Sequence, residues 1–206
     1  MVVAIDGPAG AGKSSAARGV ARALGFSYLD SGAMYRCVAL LAIEGGVGPA
    51  RAAQALEVSP GERVLLAGRD VTDRIRTAEV SQAASRVAAD PDVRAALVEH
   101  QRRLLSQGDW VAEGRDIATV VAPDAEVKVF LTATDAERAR RRALELRASP
   151  ERVLAEQRVR DERDRTRRDS PLVPAAAATV LDTTELDLDT VIARVCDLVG
   201  RRSQAS

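Results

Sequence analysis

Short apolar runs alternate with amphipathic stretches along this chain. Val2 to Ile5 is an uninterrupted apolar run and reads as a strand buried on both faces. Ser15 to Leu24 follows as an Ala/Arg-rich helix stopped by Gly25. Phe26 to Asp30 reads as a second short strand, and Ala33 to Ile43 as an apolar helix begun near Ser31. Between residues 44 and 90 the pattern breaks. Glu44 to Pro49 is rich in turn residues, Leu56–Ser59 and Arg63–Ala67 read as strands joined around Pro60-Gly61, a third short strand follows Gly68, and Ile75 to Ala89 reads as a helix. Asp90-Pro91 is an N-cap with proline at the first helical position and opens a helix to about Gln107, stopped by Gly108. Trp110–Glu113 and Val127–Leu131 read as central strands and Thr179–Asp182 as the last strand. Helices fill the intervals: Ala136 to Arg147 capped by Asp135, one from Ser149-Pro150 to about Arg168, and an amphipathic helix from Asp187 to Arg202. Strands alternating with helices predict an α/β chain with a parallel sheet covered on both faces and ligands at the carboxyl ends of its strands.

At 206 residues and 46% apolar content, one α/β domain with a modest insertion can bury a sizeable core. The formal net charge is zero and aromatic residues make up 2%. Neither a standing basic surface nor a set of base-stacking platforms is available, so no nucleic-acid or membrane partner is expected. No apolar stretch reaches membrane-spanning length and no signal-type segment precedes the first strand, which leads to the expectation of a cytoplasmic protein. Cys37 and Cys196 show no metal or redox spacing and read as two reduced, buried thiols.

Of the 30 basic residues only Lys13 and Lys128 are lysines. Lys13 stands in Gly7-Pro8-Ala9-Gly10-Ala11-Gly12-Lys13-Ser14, a complete G-x-x-x-x-G-K-[ST] phosphate-binding loop with a strand before it and a helix after it. The glycines let successive backbone N–H groups converge on the phosphates of a nucleotide. Lys13 brings a compact positive charge to the β/γ oxygens, and the Ser14 hydroxyl can complete a Mg²⁺ shell. Ser15 continues the nucleotide-binding segment into the helix.

Further along, the chain carries Leu29-Asp30-Ser31-Gly32-Ala33-Met34-Tyr35-Arg36, Ile75-Arg76-Thr77, Glu113-Gly114-Arg115-Asp116, Thr119-Val120-Val121 and Pro123-Asp124-Ala125. Arg160-Asp161-Glu162-Arg163-Asp164-Arg165-Thr166-Arg167 then leads to Pro171-Leu172-Val173-Pro174. With these motifs in this order, nearly the whole chain resembles the bacterial cytidylate kinases among the nucleoside monophosphate kinases. Departures are small: Ser15 after the loop, Ala118 where glycine is usual, and Ala122 before Pro123. The resemblance implies a single P-loop kinase domain over 1–206 with a central parallel sheet. Residues 44–90 would be its α+β monophosphate-binding insertion and residues 147–153 a short lid. It further implies a monomer that uses Mg²⁺ with ATP to phosphorylate CMP and dCMP.

By the same resemblance Arg36, Arg115 and Arg167 hold the monophosphate and act with Lys13 as catalytic groups, while Arg160 and Asp164 contact its ribose. Asp116 and Arg94, assisted by Ser85, read the base, and Ser31 and Tyr35 complete the acceptor site. On the residues alone, several of these have plainer readings. Residues 158–168 are charge-dense enough to form a solvated, salt-bridged helix face, Arg94 and Ser85 fit ordinary helix-surface polarity, and Asp116 could be an ion-pair partner of Arg115. Asp30 either helps place the metal or caps the next helix; Tyr35 either packs along the nucleotide or joins the core. Glu113 could serve the metal through water. Arg138, Arg140, Arg141 and Arg142 either supply charge to ATP or are solvated on a helix surface. His100 reads as a surface histidine and Trp110 as core.

Phosphoryl transfer to another phosphate needs no general base, because the attacking oxygen is already ionised at pH 7. The obstacle is repulsion between anions, which planar, permanently charged arginines are suited to relieve. Rival readings are a small kinase of the same fold acting on AMP, UMP or shikimate, a guanine-nucleotide switch, and an arginine-based nucleic-acid regulator. The switch would need an N-K-x-D segment, and the chain has no asparagine.

Overall fold

The structure, a computed structural model, describes residues 1–59, 63–167 and 169–204. The expected Pro60-Gly61 turn and the helix end at Arg168 lie outside the described residues. Two compact units are present: Met1–Ser27 with Gly108–Ser206, and Tyr28–Gln107.

In the first unit, β1 (Val2–Asp6) pairs in parallel with β6 (Trp110–Gly114) and β7 (Val127–Thr132), and β7 pairs in parallel with β8 (Thr179–Asp182). Val3, Ala4, Ile5, Val111, Ala112 and Leu131 are fully buried, as expected for central parallel strands without polar alternation. Against the strands pack α1 (Lys13–Leu24) and α8 (Leu188–Gln204), while α6 (Asp135–Leu146) and α7 (Pro150–Thr166) pack on each other. A π-type turn covers Ile117–Val121.

The second unit holds most of β2 (Ser27–Asp30), then α2 (Ser31–Gly45), α3 (Pro49–Gln54), α4 (Ala78–Val87) and α5 (Pro91–Leu105). A small antiparallel sheet joins β3 (Val58–Ser59), β4 (Leu65–Leu66) and β5 (Arg69–Asp70). Met34, Val38, Ile75, Val93 and Leu97 form its interior. Residues 44–90 fall wholly inside this unit.

Differences from the sequence expectations have local causes. Glycine and proline around residue 48 do not simply break the chain: Gly48 caps and Pro49 opens the short α3, the position where proline's missing N–H is harmless. The expected helix 75–89 is split, because Thr77 turns extended and its hydroxyl accepts the Val80 amide, starting a new helix after a 3₁₀ turn at Arg74–Arg76. Thr134, not Asp135, caps α6, since its hydroxyl accepts the Glu137 amide. Trp110 and Cys196 are half-buried rather than core, while Cys37 is buried and its thiol is pushed up to about 12 by burial. Among the described residues no helix is long and apolar enough to cross a membrane.

Candidate active site

The phosphate loop leaves β1 at Asp6 and enters α1 at Lys13. Gly7, Gly10 and Gly12 all have positive φ. Gly7 also has no room for a side chain, because a Cβ there would run into the Leu131 carbonyl, and at Gly10 it would lie 2.6 Å from the Arg138 carbonyl. Gly12 is the N-cap of α1 and offers no side-chain hydrogen bond, so the first-turn amides of a 12-residue helix are left for an anion. Ser14 is half-buried in that first turn and Ser15 is exposed beside it.

Lys13 is buried and donates to the Pro8 carbonyl at 2.8 Å. Burial, then the nearby Arg115 and Arg160 guanidinium groups, outweigh Glu113 and Asp6 and pull its ammonium down to about 7. Arg115 donates through Nη1 to the Gly7 carbonyl at 2.8 Å and through Nε to Asp164 at 2.9 Å. Burial alone would raise the Asp164 carboxyl, but Arg115, Arg160 and Arg167 together hold it below the usual range. Arg167 lies 4.0 Å from Asp164 with its side chain 8% exposed. Four of the expected residues, Arg115, Arg160, Asp164 and Arg167, therefore meet in one charged cluster with Lys13 beside the loop. The solvated-face alternative holds for Arg158, Glu162 and Arg165, which face solvent, but not for Asp161 and Asp164, which are buried.

Asp6 is a residue the sequence reading missed. It ends β1 and accepts the Ile117 and Ala118 amides at 2.9 and 2.8 Å, clamping the turn that follows Arg115-Asp116. Burial pushes its carboxyl up to about 6 against those two hydrogen bonds, with Asp116 adding to the rise. The only sequence signal was an acid closing an apolar strand. Asp116 is buried, and Arg115 is hydrogen-bonded to the Asp164 carboxylate. Glu113 is also buried.

A cavity of about 730 Å³ opens beside the loop, lined by Ala11, Gly12, Ser15, Thr134, Arg141 and Thr183 among others. Arg141 donates to the Thr183 hydroxyl and carbonyl at 2.9 and 2.6 Å. Of the four arginines on α6, Arg140 and Arg142 are paired on the surface with Glu137 and Glu145, whereas Arg138 is buried. Arg138 is buried and Arg140 and Arg141 both line the cavity, so helix-surface solvation does not describe α6 as a whole. The connection between α6 and α7 is short. Arg147 takes a left-handed conformation and Ser149 caps α7.

The remaining acceptor candidates belong to the second unit. Asp30 caps α2 by accepting the Ala33 amide at 2.8 Å and pairs with Arg36 at 2.8 Å, which is the capping alternative for this residue. Ser31, Tyr35, Ser85 and Arg94 are all buried, so Ser85 and Arg94 are not helix-surface polarity. Arg94 donates to the Ala88 carbonyl at 3.4 Å and lies 5.8 Å from the centroid of the Tyr35 ring, bringing residues of α2 and α5 together. His100 is half-buried and its pKa is lowered, first by burial and then by Arg103. No cluster of three or more His, Cys, Asp or Glu residues able to hold a metal ion occurs among the described residues.

Residues 3–201 match the family model described as cytidylate kinase. The chain is 47% identical to the cytidylate kinase of Carboxydothermus hydrogenoformans, over 98% of this chain and 99% of the relative. It is 50% identical to that of Mycobacterium leprae, over 100% and 98%. Among solved structures it resembles an uncharacterized protein from Eubacterium ventriosum (TM-score 0.61, 11% identity, 97% and 98% coverage). It also resembles a gluconokinase from Sinorhizobium meliloti (TM-score 0.53, 17% identity, 99% and 94% coverage). These two likenesses are of fold alone.

Proposed function

The chain belongs to the cytidylate kinase family, and on that premise we propose the division of labour among its residues by which it transfers the γ-phosphoryl group of ATP to CMP, forming ADP and CDP. The observation that carries the proposal is the charge gathered over the loop: buried Lys13 donates to the Pro8 carbonyl and Arg115 to the Gly7 carbonyl, both at 2.8 Å. Such a cluster is unfavourable by itself and becomes favourable around polyphosphate. Gly7 to Ser15 holds the ATP phosphates, and the cavity lined by Ala11, Arg141 and Thr183 takes the nucleoside of ATP. Mg²⁺ fits as a partner of ATP rather than as a resident ion: with no acidic cage among the described residues, the Ser14 hydroxyl would hold it together with phosphate oxygens. Bound there, it would neutralise charge on those oxygens.

On the acceptor side, Arg36, Arg115 and Arg167 grip the monophosphate of CMP or dCMP through paired hydrogen bonds, and Arg160 with Asp164 meets the sugar. Ser31 and Tyr35 complete this side. The acceptor oxygen attacks as an anion and no residue removes a proton; the protein's contribution is to align the reacting groups and to spread positive charge over the transferring phosphoryl group. We read 44–90 as the monophosphate-binding insertion and 147–153 as a short lid. Asp116 and Arg94, with Ser85, read cytosine. Uracil reverses the donor and acceptor at two adjacent ring positions, leaving lone pair against lone pair and donor against donor. Each buried unpaired group costs roughly 1 to 3 kcal/mol, so UMP should be disfavoured on the order of a hundredfold in kcat/KM.

The test is an acceptor panel of CMP, dCMP, UMP, AMP and shikimate with Mg-ATP, run on the wild type and on Asp116→Ala. The variant should lose far more activity on CMP than on UMP. An unchanged CMP/UMP ratio would remove Asp116 from base reading, and equal use of all acceptors would remove the cytosine pocket altogether.

A further inference from the structure

Two arginines grip the phosphate loop in the same manner, and only Arg115 belongs to the acceptor site described above. Arg115 joins the Gly7 carbonyl to Asp164. Arg138 on α6 joins the Ala9 carbonyl, at 3.0 Å, to Asp161 at 2.6 Å, both through Nη1, while Nη2 binds Asp135 at 2.6 Å. Asp161 and Asp164 are three residues apart on the buried side of α7. Both side chains of the second bridge are nearly closed to solvent, at 7% for Arg138 and 10% for Asp161. Gln157, one turn before Asp161, donates to the Arg138 carbonyl at 3.3 Å, and that carbonyl is the group against which Gly10 is pressed.

We propose that Arg138 and Asp161 are a positioning pair for the ATP side of the site, acting by fixing the Ala9–Gly10 peptide of the loop. A trans peptide is planar and its N–H points opposite its C=O. Holding the Ala9 carbonyl therefore aims the Gly10 amide. The same grip at Gly7 aims no donor, because the next residue is Pro8, so Arg138 orients the first loop amide that either arginine can set. Asp161 keeps Arg138 in place: a guanidinium so deeply buried needs an acid beside it, and the second acid, Asp135, is 52% exposed and correspondingly weaker. The pair touches no reacting atom. Its effect reaches ATP through the backbone of the loop, and it rests on the reading of that loop as the ATP site.

The test uses the full-length enzyme with ADP and CMP titrated separately by calorimetry, comparing wild type, Asp161→Asn, Arg138→Lys and the double variant. Misaiming one loop donor should weaken ADP about tenfold in each single variant. CMP binding should stay within about twofold, and the double variant should match the singles because both changes break one bridge. In ¹⁵N spectra the Gly10 amide should move in both variants while the Gly25 amide stays put, a readout independent of nucleotide. Equal loss of ADP and CMP affinity would assign the pair to general stability and overturn the proposal. Unchanged ADP affinity with an unmoved Gly10 signal would overturn it as well. A wild type that bound CMP but not ADP would instead overturn the ATP reading of the loop, and the pair's role with it.

Discussion

The helices α7 and α8 belong to the same unit and have the same length, 17 residues, yet they bury opposite chemistries. On α8 the inward positions are Val191, Val195 and Val199, repeating every fourth residue. On α7 they are Val153, Gln157, Asp161 and Asp164. Each buried valine contributes roughly 1.5 to 3 kcal/mol, whereas a buried carboxylate costs stability unless it is paired and hydrogen-bonded. Asp161 and Asp164 are so paired, with Arg138 and Arg115. Replacing paired charges of this kind with apolar residues is often neutral or stabilising, so stability does not explain why they are there. The difference separates a helix that holds the sheet together from one that places charge at the phosphate loop.

The largest expected effect is at the group α7 helps surround. Lys13→Ala should lower kcat on the order of a thousandfold, because the charge is needed chiefly as the transition state forms. Its unfolding midpoint should not fall, since a buried cation with a depressed pKa was a burden to the folded state. A near-wild-type kcat would detach the loop from catalysis. Next is Arg115→Lys. A point charge cannot reproduce two parallel hydrogen bonds to phosphate, and the loss should be at least ~2 kcal/mol in transition-state binding, about 30-fold in kcat/KM for CMP. An unchanged kcat/KM would make the Arg115–Asp164 bridge purely structural and erase the contrast between the two helices on that side.

Val195→Ala supplies the opposite limb of the comparison. Val195 is 0% exposed, and truncation should cost about 2 kcal/mol of stability with kcat unchanged at temperatures where the variant is folded. Urea unfolding and steady-state kinetics on one preparation would check both halves. A fall in kcat without a fall in stability would show that α8 also serves the reaction.

What could be read in the sequence follows the same division. The strands and α8 were legible because burial of a continuous apolar run or a four-residue repeat is a local, periodic signal. The phosphate loop was legible because its glycines, lysine and hydroxyl must sit at fixed spacing. The buried face of α7 was not legible from the residues alone, because Asp161 and Asp164 stand among exposed residues of the same kinds, such as Glu162 and Arg165, and only pairing across 23 and 49 residues distinguishes them; the family resemblance singled out Asp164 but not Asp161. Arg138 was hidden likewise in a run of three further arginines. Asp6 was missed because its work is done on amides 111 and 112 residues away. Ser85 and Arg94 needed the family resemblance, since helix periodicity alone places them as readily outside as in.

The smallest effect expected is a proton, and it reports directly on the cations that α7 and its neighbours hold near the loop. Lys13 in the free protein is lowered to about 7, by burial first and then by Arg115. The sign follows from linkage. A lysine depressed in the folded state contributes stability above its ordinary pKa of 10.5, and that contribution is lost as pH falls through about 7. At pH 8 the free enzyme should therefore hold Lys13 largely neutral. Polyphosphate placed against it favours the charged form and draws a proton from the buffer. ADP binding at pH 8 should take up close to one proton, with the uptake fading as the pH drops below 7. Calorimetric titrations in Hepes and in Tris, whose ionisation enthalpies differ, give the number from the difference in observed heat. Lys13→Met should abolish the uptake while α8 variants such as Val195→Ala retain it. A wild type that bound ADP at pH 8 without proton exchange would mean that Lys13 is already charged in the free enzyme, and that the surrounding acids Glu113 and Asp6 outweigh burial and the guanidinium groups together.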